Sequence, residues 1–215
     1  MIKAEATVNG IISRSAMMKT GKDGKPFTAM TVKVDVTDRN GSGISVEISV
    51  GKDGYDTNEA AKLTIGQRVE IVGTMNFKKR TEHLYVNLSA KQITLNPASQ
   101  TDSVTGDLEF KGTIGKQIDR KTDKNGGNYQ IFSGFSTEKV AETFEFTWVR
   151  FVRFSNDECK ALVPSGKVEI KGELELGCYQ EKLNLSCRVN EISEWVKQQI
   201  PNMNQNANYG RKEIL

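Results

Sequence analysis

Histidine occurs once in the 215 residues, at His83, and cysteine three times, at Cys159, Cys178 and Cys187, with no CxxC pair. So few ligands, so far apart, argue against a zinc site, and an odd thiol count argues against a disulfide framework; the cysteines read as small apolar fillers in a protein of a reducing cytoplasm. No run of about 18 apolar residues is present, and Met1-Ile2-Lys3-Ala4-Glu5 lacks the apolar core of a signal segment, so neither membrane insertion nor export is expected. Catalytic groupings are missing too. There is no Ser/His/Asp set, no phosphate-binding Gly-Lys-Ser/Thr loop and no paired carboxylates at an acid/base spacing, so the chain reads as non-catalytic, without cofactor or metal.

What is present is alternation. Met30, Val32, Val34 and Val36 alternate with polar residues, as do Ile44, Val46, Ile48 and Val50, the pattern of strands with one buried face. Strands are expected over 4–14, 27–37, 44–50, 68–77 and 84–95, with a short helix capped by Asp56 or Thr57 between the third and fourth. Residues 97–106, polar and without periodicity, read as a linker. The same order then returns: strands over 108–118, 129–136, 144–154, 168–176 and 183–192. Ser155-Asn156-Asp157-Glu158 has capping-box spacing for a second short helix ending before Pro164. Val69-Glu70-Ile71-Val72-Gly73 against Val168-Glu169-Ile170-Lys171-Gly172 is the clearest echo, and Asn9-Gly10 matches Lys111-Gly112. A repeat this long means two tandem all-β domains, 1–96 and 107–196, followed by an Asn/Gln-rich flexible tail, 197–215.

The formal charge is +3, unevenly spread: residues 1–96 hold 14 Lys and Arg against 10 Asp and Glu, residues 106–196 hold 13 against 15. Any basic surface must therefore be local. Candidates are Lys22 and Lys25 in the first repeat's first loop, Lys78-Lys79-Arg80 with Tyr85 just beyond, and Lys121 and Lys124 in the second repeat's first loop. Each is either a phosphate contact or an ordinary solvated tip. The richest stretch is Phe146 to Phe154, where Trp148, Arg150, Val152 and Phe154 share one strand face while Val149 and Phe151 take the other. Aromatic planes flanking a guanidinium suit stacking of unpaired bases, at about 1–3 kcal/mol per base, although strand aromatics also serve packing.

Five strands with a helix between the third and fourth is the order of the OB-fold, so the expected architecture is two tandem five-stranded barrels. The second repeat resembles the bacterial single-stranded DNA-binding protein family. Phe110-Lys111-Gly112-Thr113-Ile114-Gly115 resembles its first-strand motif, Asn125-Gly126-Gly127 its loop before strand two, and Trp148 to Phe154 its Trp-x-Arg-apolar-apolar-apolar-Phe third strand. Ser165 to Gly172 resembles its approach to strand four. The resemblance implies that Trp148 and Phe154 stack bases, that Arg150 contacts the backbone, and that Tyr179 takes the place of a further stacking Trp. It implies single-stranded DNA as partner, a role in replication, recombination or repair in a bacterial or phage-infected cytoplasm, and assembly of two chains to match a family tetramer's four barrels.

Three departures stand out. Glu173 and Glu175 lower the positive potential beside the stacking strand, and the chain ends without the family's acidic tip, leaving only Ile214-Leu215 as a docking peptide for replication or recombination proteins. The first repeat carries Ser45, Glu47 and Ser49 where the second has Trp148, Arg150 and Val152, so it either holds phosphates or serves assembly. An OB-fold protein–protein adaptor and a single-stranded RNA binder are the competing readings.

Overall fold

Alternating hydrophobicity becomes two closed barrels. The computed structural model describes residues 1–37, 43–155 and 157–196; the expected tail, 197–215, lies outside them. The strands are β1 (Ile2–Thr20), β2 (Pro26–Thr37), β3 (Gly43–Asp53), β4 (Arg68–Arg80), β5 (His83–Leu95), β6 (Ser103–Thr122), β7 (Asn128–Val140), β8 (Thr143–Phe154), β9 (Lys167–Tyr179) and β10 (Lys182–Glu194), with one helix, α1 (Thr57–Ala60). Barrel one closes in the order β1-β2-β3-β5-β4-β1 and barrel two in the order β6-β7-β8-β10-β9-β6. The chain is thus all-β, two OB-fold barrels.

Each barrel buries the alternate face that the sequence marks. Val8, Ile12, Val32, Ile48, Ile71 and Leu88 fill barrel one with aliphatic side chains. Barrel two is built on Phe110, Phe132 and Phe151, with ring centroids 5.0 Å apart for Phe110–Phe151 and 5.2 Å for Phe132–Phe151. Cys187 is fully buried in that core, and burial first, then Glu175 and Glu173, push its thiol up to about 12.

The repeated glycine of the Val-x-Ile echo has a steric cause. A Cβ on Gly73 would collide with the Ser89 carbonyl oxygen, and one on Gly172 with that of Arg188. Both glycines sit where the ladder to the neighbouring strand shifts register. Gly73→Ala and Gly172→Ala should each cost about 3 kcal/mol or more, because backbone, unlike a side chain, cannot rotate away; urea unfolding reads the loss.

Two expectations need correction. Among the described residues no helix follows β8. The Ser155 hydroxyl that would cap it accepts from the Asp157 N–H at 3.0 Å, closing a local turn, and the Arg153 guanidinium donates to the Asp157 carbonyl at 2.9 Å. In barrel one the cap forms: Asp56 accepts from the N–H groups of Asn58 and Glu59. Second, β6 begins at Ser103, inside the stretch expected to be linker. Asp102 anchors what precedes it, accepting from the Asp35 N–H at 2.8 Å and from Arg68 at 2.8 Å.

The early start of β6 joins the barrels. Ile2–Asn9 of β1 pairs antiparallel with Ser103–Phe110 of β6. Glu5 lies opposite Asp107, and Lys3 opposite Glu109 with a 2.9 Å ion pair. Since Asn9-Gly10 corresponds to Lys111-Gly112, Glu5 and Asp107 are repeat equivalents facing one another. The seam therefore has the self-complementary geometry of a two-fold contact, made inside one chain.

Candidate nucleic-acid interface

Strand β8 splits its side chains as its alternation demands. Val149 and Phe151 are 1% and 0% exposed, whereas Trp148 and Phe154 are 49% and 55% exposed. Arg150 lies exposed between them and makes no ion pair among the described residues. The outward row runs further than the sequence reading took it: Phe144 and Phe146 also face solvent.

Pairing with β7 brings more aromatics to this face. Phe135, opposite Trp148, has its ring 4.9 Å from the indole and 5.5 Å from Phe146. Tyr129, opposite Phe154, stacks on it at 5.7 Å with 29° between planes. The Arg188 guanidinium, from β10, lies 5.2 Å from the Phe154 ring centroid and 3.8 Å from Glu173. Two aromatic clusters thus flank the Arg150 row, across which Ser133 is the small neighbour. Gly115 borders the indole, with its Cβ position 3.5 Å from Trp148 Cζ3, so the ring lies against a side-chain-free backbone. Phe144 and Phe146 continue the two-residue period and were legible in it. Tyr129, Phe135 and Arg188 were not, because only the register places them beside Trp148 and Phe154.

The basic candidates separate. Lys121 lies opposite Tyr129, at the end of the aromatic row, and Lys124 is exposed at the adjoining tip. That tip is closed by Asp123, whose carboxylate accepts from the N–H groups of Asn125 and Gly127, both at 2.8 Å, while Gly126 supplies a φ of 82°. The Asn-Gly-Gly segment therefore builds a turn that presents lysines. Lys22 and Lys25 are exposed on barrel one's equivalent tip, Lys25 lying 3.8 Å from Asp23. Tyr179 is exposed at the β9–β10 tip, opposite Lys182, and has no aromatic neighbour among the described residues. Tyr85 is exposed on barrel one opposite Lys78 and edge-on to His83 at 6.5 Å.

Lys78, Lys79 and Arg80 are not gathered with the Trp148 row. Arg80 donates to Glu138 of barrel two at 3.0 Å, and Lys78 lies 3.7 Å from the same carboxylate. Hydrogen bonding to Arg80, aided by the Lys78 charge, holds Glu138 below the usual carboxylate range; Lys3 does the same for Glu109, and Lys91 with Thr74 for Glu5. Carboxylates so depressed contribute stability in full above their unfolded value of about 4.3, and lose it as pH falls through their lower folded values. The Glu138 and Glu109 contacts between the barrels should accordingly weaken below about pH 4, detectable as lower amide protection factors in β1 and β6 before the cores melt.

The corresponding face of barrel one is polar and self-satisfied. Ser45 donates to Asp35 at 2.5 Å, and Glu47 lies opposite Lys33 and 3.6 Å from Arg14. A groove of about 420 Å³ lined by Arg14, Met17, Lys19, Phe27, Ser49 and Asn87 occupies the place of barrel two's aromatic row. Among the described residues no group of three or more His, Cys, Asp or Glu side chains could hold a metal ion, and no helix is long and apolar enough to cross a membrane.

No protein-family model matches the chain, and no curated protein matches its sequence. Among solved structures the chain is similar to the single-stranded DNA-binding protein from Thermus aquaticus. A deletion mutant is 14% identical with a TM-score of 0.49, over 93% of this chain and 97% of that one. The wild type is 13% identical with a TM-score of 0.49, over 91% and 94%. A small single-stranded DNA-binding protein from Streptomyces coelicolor is 15% identical with a TM-score of 0.34, over 43% of this chain and 91% of its own.

Proposed function

We propose that this protein binds single-stranded DNA with little sequence preference, as a non-catalytic protector of exposed strands in replication, recombination or repair. The observation that carries the reading is the row of solvent-facing aromatics on β8, backed by Phe135 and Tyr129 of β7 and interrupted by the exposed Arg150 guanidinium. A monomeric barrel gains nothing by leaving Trp148, Phe154 and Phe146 in water; every base offers a π-face to such a row. Trp148 and Phe154 stack bases, Arg150 takes a phosphate, and Lys121 and Lys124 neutralise the strand where it leaves the row. Tyr179 and the lysines Lys22 and Lys25 stand farther off, as secondary contacts. Duplex DNA hides its base faces and should bind weakly.

Neutralising three or four phosphates on a single strand implies that affinity falls roughly 20- to 50-fold between about 50 mM and 200 mM salt. Electrophoretic mobility of oligo-dT, an equal-length duplex and oligo-U across that range tests the reading. Salt-sensitive retention of oligo-dT over duplex supports it, preference for oligo-U moves the assignment to RNA, and no shift at low salt refutes it. Pairing of two chains would present four barrels; sedimentation at micromolar concentration separates a dimer from a monomer.

A further inference from the structure

We propose that Lys78 and Arg80, at the tip of barrel one's β4–β5 hairpin, are positioning residues that brace the aromatic β7–β8 hairpin of barrel two, and are not phosphate contacts. The inference rests on the single-stranded DNA reading of the aromatic row.

The need for a brace follows from the ladder. Strand β10 pairs with β8 only over Arg150–Val152, so among the described residues the outer part of β8, which carries Phe144, Phe146 and Trp148, has β7 as its one laddered neighbour. A two-stranded ribbon standing free is marginal in water. Its outward face holds the aromatics and its inward face carries Glu138 and Glu145, which lie opposite one another across the hairpin.

Barrel one's tip meets that inward face. Arg80 donates to Glu138 Oε2 at 3.0 Å and to the Lys79 carbonyl at 2.7 Å, which fixes the guanidinium on its own hairpin, and Lys78 Nζ lies 3.7 Å from Glu138 Oε1. Beside them the Lys79 N–H donates to Thr147 Oγ1 at 3.3 Å and the Thr81 N–H to Glu145 Oε1 at 3.4 Å. Two side-chain cations and two backbone donors of barrel one are thus directed at the back of the ribbon whose front would stack bases. Cations engaged this way are drawn away from phosphate, and a ribbon held in advance loses less freedom when a strand docks. Barrel one's missing aromatics then have a counterpart: it supports a stacking surface instead of providing one.

Glu138→Lys in the full chain separates the two roles, because it adds positive charge while destroying the brace. Braced stacking predicts roughly tenfold weaker oligo-dT binding, from like charges placed beside one another, together with faster amide exchange across Val140–Thr147. Lys78→Glu with Arg80→Glu should weaken binding as well. Adding Glu138→Arg to that pair rebuilds the network with its signs reversed and should recover most of both the affinity and the exchange protection. Tighter binding by Glu138→Lys, or a triple variant as weak as the Lys78→Glu, Arg80→Glu pair, overturns the proposal and assigns the tip to phosphate. If the unmodified chain fails to bind oligo-dT, the stacking reading is what fails. Exchange in Val140–Thr147 still decides the brace, since protection unchanged by Glu138→Lys would exclude it.

Discussion

Replacing Trp148 and Phe154 together by alanine is expected to weaken oligo-dT binding by a factor between about thirty and about twenty thousand, the equivalent of two lost stacks at roughly 1–3 kcal/mol each. The fold should survive. Both side chains are about half exposed, Trp148 resting on Phe135 and the Gly115 backbone and Phe154 on Tyr129, so their removal opens no enclosed cavity. Thermal unfolding of the double variant should accordingly stay within a few degrees of the parent, as for other surface substitutions. If the variant binds oligo-dT as tightly as the parent, the aromatic row is not the binding surface. The adaptor reading, in which a partner protein covers that row, would then gain.

Phe151→Ala, three positions from each of those residues, should do the reverse. Phe151 is completely buried against Phe110 and Phe132, and truncating such a ring costs about 3–5 kcal/mol because the packed rings around it close the void only in part. That is a large fraction of the stability of a domain this size. Chemical denaturation should show barrel two unfolding at much lower urea while barrel one, which does not pack on Phe151 and whose core is mostly aliphatic, is affected less. Binding would be lost only in proportion to the unfolded fraction. Alternate residues of one strand thus divide the labour: inward ones hold the barrel, outward ones stay in water.

That division is the part of the structure most legible in the chain. Period-two alternation locates all ten strands, and the face of β8 that it marks as outward is the face in water. Strand ends were less legible. Lys19, Lys78–Arg80 and Arg120–Thr122 extend hairpin arms beyond the cores, where both faces are polar and no alternation signals a strand. The Ser155-x-x-Glu158 spacing failed because a capping hydroxyl can equally well close a two-residue turn, and that local bond won. Contacts between repeats were invisible for a different reason. Glu138 is one acidic residue among many until β7 and β4 meet, and only then does the Lys78–Arg80 cluster change from a free patch into a bridge between the barrels.

The seam also explains why the duplication could diverge. With β1 and β6 paired about Glu5 and Asp107, each barrel contributes one strand to a shared ladder whatever its outer face carries. Ser45 bonds Asp35 and Glu47 pairs with Arg14 without disturbing that ladder. The exposed aromatic face of barrel two is therefore a feature added to the barrel, not a requirement of building it.

The most direct measurement is a fluorescence titration of the full chain with oligo-dT at low salt, with Trp148→Phe as control for the half-buried Trp195. Saturable quenching that is lost in the control, is reversed by added salt and is absent with duplex DNA is the expected result. Unchanged emission with no retardation of oligo-dT at low salt would contradict a base-stacking role for the β7–β8 face.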